Sequence, residues 1–211
     1  MAHNGAHIHP RNRIADVLRR IYADRMTTTS GGNLSIRDDD GDIWITPAAT
    51  DKGVMQPDDI VRRRADGATE GRHRPSSELP FHEAIYARRP DLRAIIHAHP
   101  PAMVAFSIVR ETPDTAVLPQ ASHICGEVGY APYDIPGSAA LGKRIAEGFA
   151  GGSNAVIMEN HGTVIGGTDM DDAFRRFTTL ELCAEAIIRG RRIGEVRALP
   201  TEEIRRYDGA R

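Results

Sequence analysis

The chain has 211 residues, 40% of them hydrophobic, which is enough for one domain with a sizeable core. A formal net charge of −2 and a pI near 6.5 exclude a general binder of nucleic acid or anionic membrane. No apolar stretch approaches the ~20 residues of a membrane helix, and the opening Met1-Ala2-His3-Asn4-Gly5 lacks the apolar core of a signal peptide. Cys125 and Cys183 form no C-x-x-C pair and read as two buried, reduced thiols. The expectation is a cytoplasmic enzyme acting on a small molecule.

Residues 1–10 carry three histidines and little apolar content, and read as a flexible tail before one domain over 11–211. From Arg11, the residues Ile14, Val17, Leu18, Ile21 and Tyr22 follow the spacing of an amphipathic helix that ends near Asp24. A polar loop, Thr27 to Asn33, leads into strands Asn33–Arg37 and Asp42–Thr46, joined by the hairpin turn Asp38-Asp39-Asp40-Gly41. Gln56-Pro57-Asp58-Asp59 and Ala65-Asp66-Gly67 read as turns. Pro75-Ser76-Ser77-Glu78 opens a helix through Phe81 and Ile85 to about Arg88. An apolar strand from Leu92 follows, ending in His97-Ala98-His99 before Pro100-Pro101, and then a helix over Ala102–Val109. Ser138–Ala150 is helical, Ala155–Met158 and Thr163–Ile165 are short strands, and Asp169–Arg189 is the longest helix. A last short helix starts at Thr201. Helices and strands interleave without repeats, as in one mixed α/β domain.

The chemistry concentrates in four places. His97 and His99 are two residues apart on a strand, so they project from one face at its carboxyl end, as half of a divalent-metal site would. His161, between Asn160 and Gly162 in the turn after Ala155–Met158, can supply a third nitrogen and leave a coordination position open. Glu78 can ligate a cation, act as a base, or alternate between the two, while its plain reading is helix capping. His82, four residues on, shares its helix face and ranks below His161 as a ligand because it lies inside the helix. Ser76 and Ser77, with the loop Thr29-Ser30-Gly31-Gly32-Asn33, offer hydroxyls, an amide and backbone N–H groups to an anion.

These motifs occur in a definite order: Ser30-Gly31-Gly32-Asn33-Leu34-Ser35, Ile45-Thr46-Pro47, Pro75-Ser76-Ser77-Glu78 with Phe81-His82, His97-Ala98-His99, and Asn160-His161-Gly162. In that order they resemble the class II aldolase/adducin family from about Arg11 to Arg192. The resemblance implies a three-layer αβα sandwich with a mixed, largely antiparallel central sheet. It also implies a homotetramer with active sites at subunit interfaces. By position it makes His97, His99 and His161 the metal ligands and Glu78 the acid/base. Gly31, Gly32, Asn33, Ser76 and Ser77 become substrate-binding residues. The cofactor it implies is a divalent metal, Zn²⁺ first, with Mn²⁺, Co²⁺ and Fe²⁺ as other fits.

The implied reaction is retro-aldol cleavage of a small hydroxylated carbonyl compound, such as a sugar phosphate, through a metal-stabilised enediolate. The same chemistry serves decarboxylation and 4-epimerisation; a non-haem Fe(II) oxygenase and a non-catalytic adducin-like binding protein are the remaining alternatives. Some residues depart from the family pattern. Ala48 and Ala49 stand where sugar-phosphate aldolases usually offer a hydroxyl and a glycine, which points to a carboxylate as the substrate anion. Pro136 takes the place of a pocket phenylalanine, and Tyr207 stands in for the tail tyrosine that members lend to a neighbouring subunit.

Overall fold

The computed structural model describes residues 8–210, so most of the expected tail, including His3 and His7, lies outside the described residues. His9 and Pro10 already belong to the first helix: the His9 Nδ1 accepts from the Arg11 N–H at 3.2 Å and caps α1 (Pro10–Ala23). The buried face of α1 is Ile14, Val17, Leu18 and Ile21, as their spacing predicts. β1 (Asn33–Arg37) and β2 (Ile43–Ile45) form the expected hairpin. The Asp38 carboxylate accepts from the backbone N–H groups of Asp40 and Asp42, and Gly41 takes a φ of +85° to close the turn.

Two small strands, β3 (Val61–Arg63) and β4 (Thr69–Glu70), continue the sheet outward. They are too short and too charged to show alternation in the sequence. Next come α2 (Leu79–Arg88), β5 (Ala94–Ala98) and α3 (Pro101–Val109). α4 (Pro119–Cys125) and β6 (Val128–Ala131) carry no strong periodicity and were not expected. The chain ends with α5 (Ala139–Gly148), β7 (Ala155–Met158), β8 (Gly162–Gly167), α6 (Met170–Arg191) and α7 (Thr201–Gly209). Ser138 and Asp169 cap α5 and α6 through their side chains.

The strands form one sheet in the order β4-β3-β2-β1-β5-β8-β7-β6, antiparallel throughout except for the β6–β7 pair. β5 sorts its residues by alternation. Ala94, Ile96 and Ala98 face the core built with α1, α3, α4 and α6, whereas Ile95 packs on the other side with α2 and α5. The architecture is therefore a three-layer αβα sandwich. Register then places the site: Asn33 of β1 pairs with His97 of β5, which pairs with Val164 of β8. Among the described residues, no helix is long and apolar enough to cross a membrane. Cys125 and Cys183 are buried free thiols, and burial pushes their pKa values up to about 12 and about 11.

Candidate active site

Three imidazoles converge where β5 ends and β7 turns into β8. His97 and His99 leave β5 on one face, with ring centroids 4.9 Å apart. His161 completes the group from the turn Glu159–His161, where Asn160 takes a φ of +53°. Donor atoms of the three rings lie within 4.8 Å of one another. Two glycines permit this crowding. A Cβ on Gly31 would stand 2.6 Å from His99 Nδ1, and one on Gly162 would stand 2.6 Å from the Ala98 carbonyl oxygen.

Hydrogen-bond accounting shows what the cluster can hold. The Thr163 carbonyl can only accept, so His97 donates to it through Nδ1 at 2.9 Å, leaving a bare lone pair on Nε2. That lone pair faces Glu78 Oε2 at 3.3 Å, acceptor against acceptor. The Nε2 atoms of His97 and His99 are both buried without a hydrogen-bond partner. Burial, reinforced by the neighbouring imidazoles, lowers the pKa values of both rings to about 3; burial also lowers that of His161. Neutral rings with converging lone pairs and an adjacent carboxylate are what a divalent cation requires. The residues present fit such a metal.

Glu78 does not act as a helix cap. It occupies the position before α2, but its side chain makes no capping bond; its backbone N–H donates instead to Ser76 Oγ at 3.2 Å. The carboxylate turns inward, and Oε2 accepts from Asn33 Nδ2 at 2.7 Å. The helix expected from Pro75 accordingly begins at Leu79, because Pro75 and Ser76 pair with Pro47 and Thr46 as an extended segment. His82 is no member of the donor cluster: Asn33 Oδ1 and Ser35 Oγ bond its two ring nitrogens at 2.5 and 2.7 Å.

The adjoining cavity measures about 260 Å³ and is lined by Gly31, Gly32, Asn33, Ser76, Ser77, Glu78, His99 and His161, together with Ala48, Ala49 and Pro136. It therefore collects every substrate-binding residue the sequence suggested. A larger hollow near Trp44 and Arg62 contains none of the three clustered histidines. Sequence reading missed Lys52, which also lines the site cavity. It is 3% exposed, and among the described residues its ammonium has one hydrogen bond, 3.4 Å to the Pro47 carbonyl. Burial lowers its pKa, with Asp51 pulling the other way. A lysine in a run such as Thr50-Asp51-Lys52-Gly53 looks like a solvated turn; in the structure its backbone N–H donates to the Thr29 carbonyl at 3.0 Å, and Gly53 beside it packs on Tyr22 of α1. Tyr207 lies on α7 against His123.

A sheet covered on both faces, with neutral histidines and a carboxylate gathered at one strand end, is an arrangement suited to an enzyme that binds a divalent cation. Comparison with known proteins narrows the class. Residues 12–188 match the family model described as Class II Aldolase and Adducin N-terminal domain. The chain is 31% identical over 189 residues to 5-deoxy-D-ribulose 1-phosphate aldolase of Bacillus thuringiensis serovar kurstaki, covering 88% of this chain and 87% of that protein. It is 30% identical over 171 residues to 3-oxo-tetronate 4-phosphate decarboxylase of Haemophilus influenzae, covering 79% and 81%. A solved L-fuculose 1-phosphate aldolase superposes with a TM-score of 0.86 at 28% identity, covering 98% of this chain and 99% of that one. The chain belongs to the class II aldolase/adducin family and is a lyase of the class II aldolase type.

Proposed function

We propose that this protein cleaves a small phosphorylated ketose by retro-aldol chemistry, with Zn²⁺ held by His97, His99 and His161. The observation that carries this reading is the pair of buried, unpartnered Nε2 atoms of His97 and His99, the first of them 3.3 Å from Glu78 Oε2. When bound, the cation supplies Lewis acidity, polarising the substrate carbonyl and stabilising negative charge that develops on its oxygen. Glu78 carries the proton: it takes up the proton lost by the substrate hydroxyl that becomes the aldehyde and, as the C–C bond breaks, returns it to the carbon that keeps the electron pair. Asn33 holds the Glu78 carboxylate and retains a second Nδ2 hydrogen for substrate. Ser76, Ser77 and the Gly31-Gly32 backbone receive the anionic group.

Lys52 favours phosphate over carboxylate as that anion. A nearly buried ammonium with one long hydrogen bond is poorly solvated, and a dianionic ester beside it offsets that cost better than a monoanion does. It supplies the donor that Ala48 and Ala49 lack. The two named relatives, a 5-deoxy-D-ribulose 1-phosphate aldolase and a 3-oxo-tetronate 4-phosphate decarboxylase, likewise act on phosphate esters.

Decarboxylation of a 3-oxo acid phosphate is the second reading, favoured by 30% identity to a decarboxylase. There too, a proton taken from water passes through Glu78 to the carbon left with the electron pair as CO₂ departs. We extend the proposal to an oligomer with the site near an interface, because Tyr133 and Ile135 stand exposed beside Pro136 of the cavity. Sedimentation velocity checks that extension.

The deciding experiment incubates zinc-loaded protein with 5-deoxy-D-ribulose 1-phosphate, L-fuculose 1-phosphate and 3-oxo-tetronate 4-phosphate. Aldehyde release from either ketose phosphate is expected, and CO₂ from the third alone selects the second reading. Glu78→Gln should lower turnover by ~10²-fold or more, and Lys52→Met should raise KM more than it lowers kcat. Full activity in Glu78→Gln would reduce this carboxylate to a ligand or a spacer.

A further inference from the structure

Behind the cavity, α2 and β1 interleave five polar side chains, three of which, His82, Ser35 and Tyr86, the proposed reaction does not use. Glu78, His82 and Tyr86 recur every four residues at the start of and along α2, about 6 Å apart at ~1.5 Å per residue. Asn33 and Ser35 recur every two residues on β1, about 6.8 Å apart at ~3.4 Å per residue. The two repeats nearly match, so the five side chains interdigitate in the order Glu78, Asn33, His82, Ser35, Tyr86. All five are buried. Adjacent members touch at 2.7, 2.5, 2.7 and 2.8 Å.

Chemistry fixes the direction of every bond in this ladder. A carboxylate only accepts, so Asn33 presents its Nδ2–H to Glu78 and its Oδ1 to His82. Oδ1 also only accepts, so His82 donates through Nε2–H. Burial lowers the His82 pKa well below the usual range, so the ring is neutral and Nδ1 accepts from the Ser35 hydroxyl. Ser35 in turn accepts from the Tyr86 phenol, which burial keeps protonated. The ladder has no alternative bonding at Asn33 while His82 carries its hydrogen on Nε2. Without that hydrogen the Asn33 amide is free to rotate, and its oxygen then repels Glu78.

We infer that His82 is a positioning residue: its Nε2–H, backed by Ser35 and Tyr86, locks the Asn33 amide so that an N–H holds the Glu78 carboxylate beside the histidine cluster. The inference rests on the reading of Glu78 as the proton carrier, and its test must separate the two. Full-length, zinc-loaded protein labelled with ¹⁵N in histidine and asparagine gives a readout that needs no substrate. The His82 ring should appear as the neutral Nε2–H tautomer with a slowly exchanging proton, opposite to the Nδ1–H tautomer of His97. The Asn33 side-chain amide protons should be protected from exchange in the wild type and in His82→Gln, which keeps an N–H at the Nε2 position. They should lose that protection in His82→Phe.

With 5-deoxy-D-ribulose 1-phosphate, His82→Phe should lower kcat about 10- to 100-fold, the usual scale for a supporting group behind a metal site, with KM and zinc content held. His82→Gln should recover most of that loss. An Nδ1–H tautomer at His82, equal Asn33 protection in the Phe and Gln variants, or equal kcat in both, would each overturn the inference. Undiminished turnover in Glu78→Gln, with the ladder signals as expected, would instead sink the proton-carrier reading and leave the Asn33 lock intact.

Discussion

His82 and His97 stand on either side of the Asn33–Glu78 pair, both fully buried and both neutral, yet they use their nitrogens in opposite ways. His82 has a partner at each nitrogen, an amide oxygen and a hydroxyl. His97 has one, the Thr163 carbonyl, and its other lone pair faces a carboxylate oxygen. Burial and residue type do not distinguish them; the donor and acceptor count does. A buried polar atom without a partner is costly, so of the two rings His97 is the one with a lone pair free for a cation.

The most drastic way to break this contrast is to remove rings from each side. His97→Ala, His99→Ala and His161→Ala should each lose most bound zinc and turnover, whereas His82→Ala should keep its zinc. Elemental analysis of the four purified variants, beside wild type loaded to one zinc per chain, reads the outcome directly. Retention of metal in all three cluster variants would dissolve the distinction between the two kinds of buried histidine.

That contrast also marks how far the sequence could be read. The H-x-H at a strand end, His161 in its Asn-Gly turn and Glu78 before α2 are short-range patterns, and the structure brings all four residues to one place. The amphipathic spacing of α1 buries Ile14, Val17, Leu18 and Ile21 and leaves Tyr22 part-buried, because a helix of several turns repeats its signal. Lys52, the small strands β3 and β4, and α4 escaped, since each depends on what pairs beside it. The His82 ladder lies between these cases. Its i, i+4 and i, i+2 repeats were visible, but only the β1–α2 packing reveals that they mesh. The sequence ranks His82 below His161 as a ligand for its position inside a helix; the structure adds two bonds that occupy its nitrogens.

Acid should sharpen the comparison more gently. Folded His97 and His99 have pKa values near 3, while an unfolded imidazole has one near 6.5. Between these values the unfolded chain binds more protons, so folding stability falls as pH drops from about 6.5 toward about 3 and is flat above that window. Bound zinc demands the same deprotonated rings, so metal affinity weakens in the same direction. Urea titrations of metal-free protein between pH 7 and pH 4 should show this slope, and His99→Asn should flatten it. An equal slope in the variant would mean that other groups carry the acid sensitivity.

The smallest expected effect comes from the backbone that presses the cluster together. Gly31 needs no unusual φ, so alanine there strains no dihedral angle; its Cβ simply meets His99 Nδ1 at 2.6 Å and Thr28 Oγ1 at 2.9 Å. The imidazole must tilt to make room, and a tilt of one ligand misaligns its lone pair while His97 and His161 stay in place. Zinc affinity should then fall about 10-fold, at the lower end for a disturbed supporting contact, with a stability loss of ~1–3 kcal/mol from the crowding. Gly194→Ala is the matched control, because a Cβ there meets nothing within 4 Å. Competition against a chelator, with thermal unfolding of the same samples, separates the two effects. If Gly31→Ala binds zinc as Gly194→Ala does, the loop beside His99 is a spectator and β5 alone aims the ring.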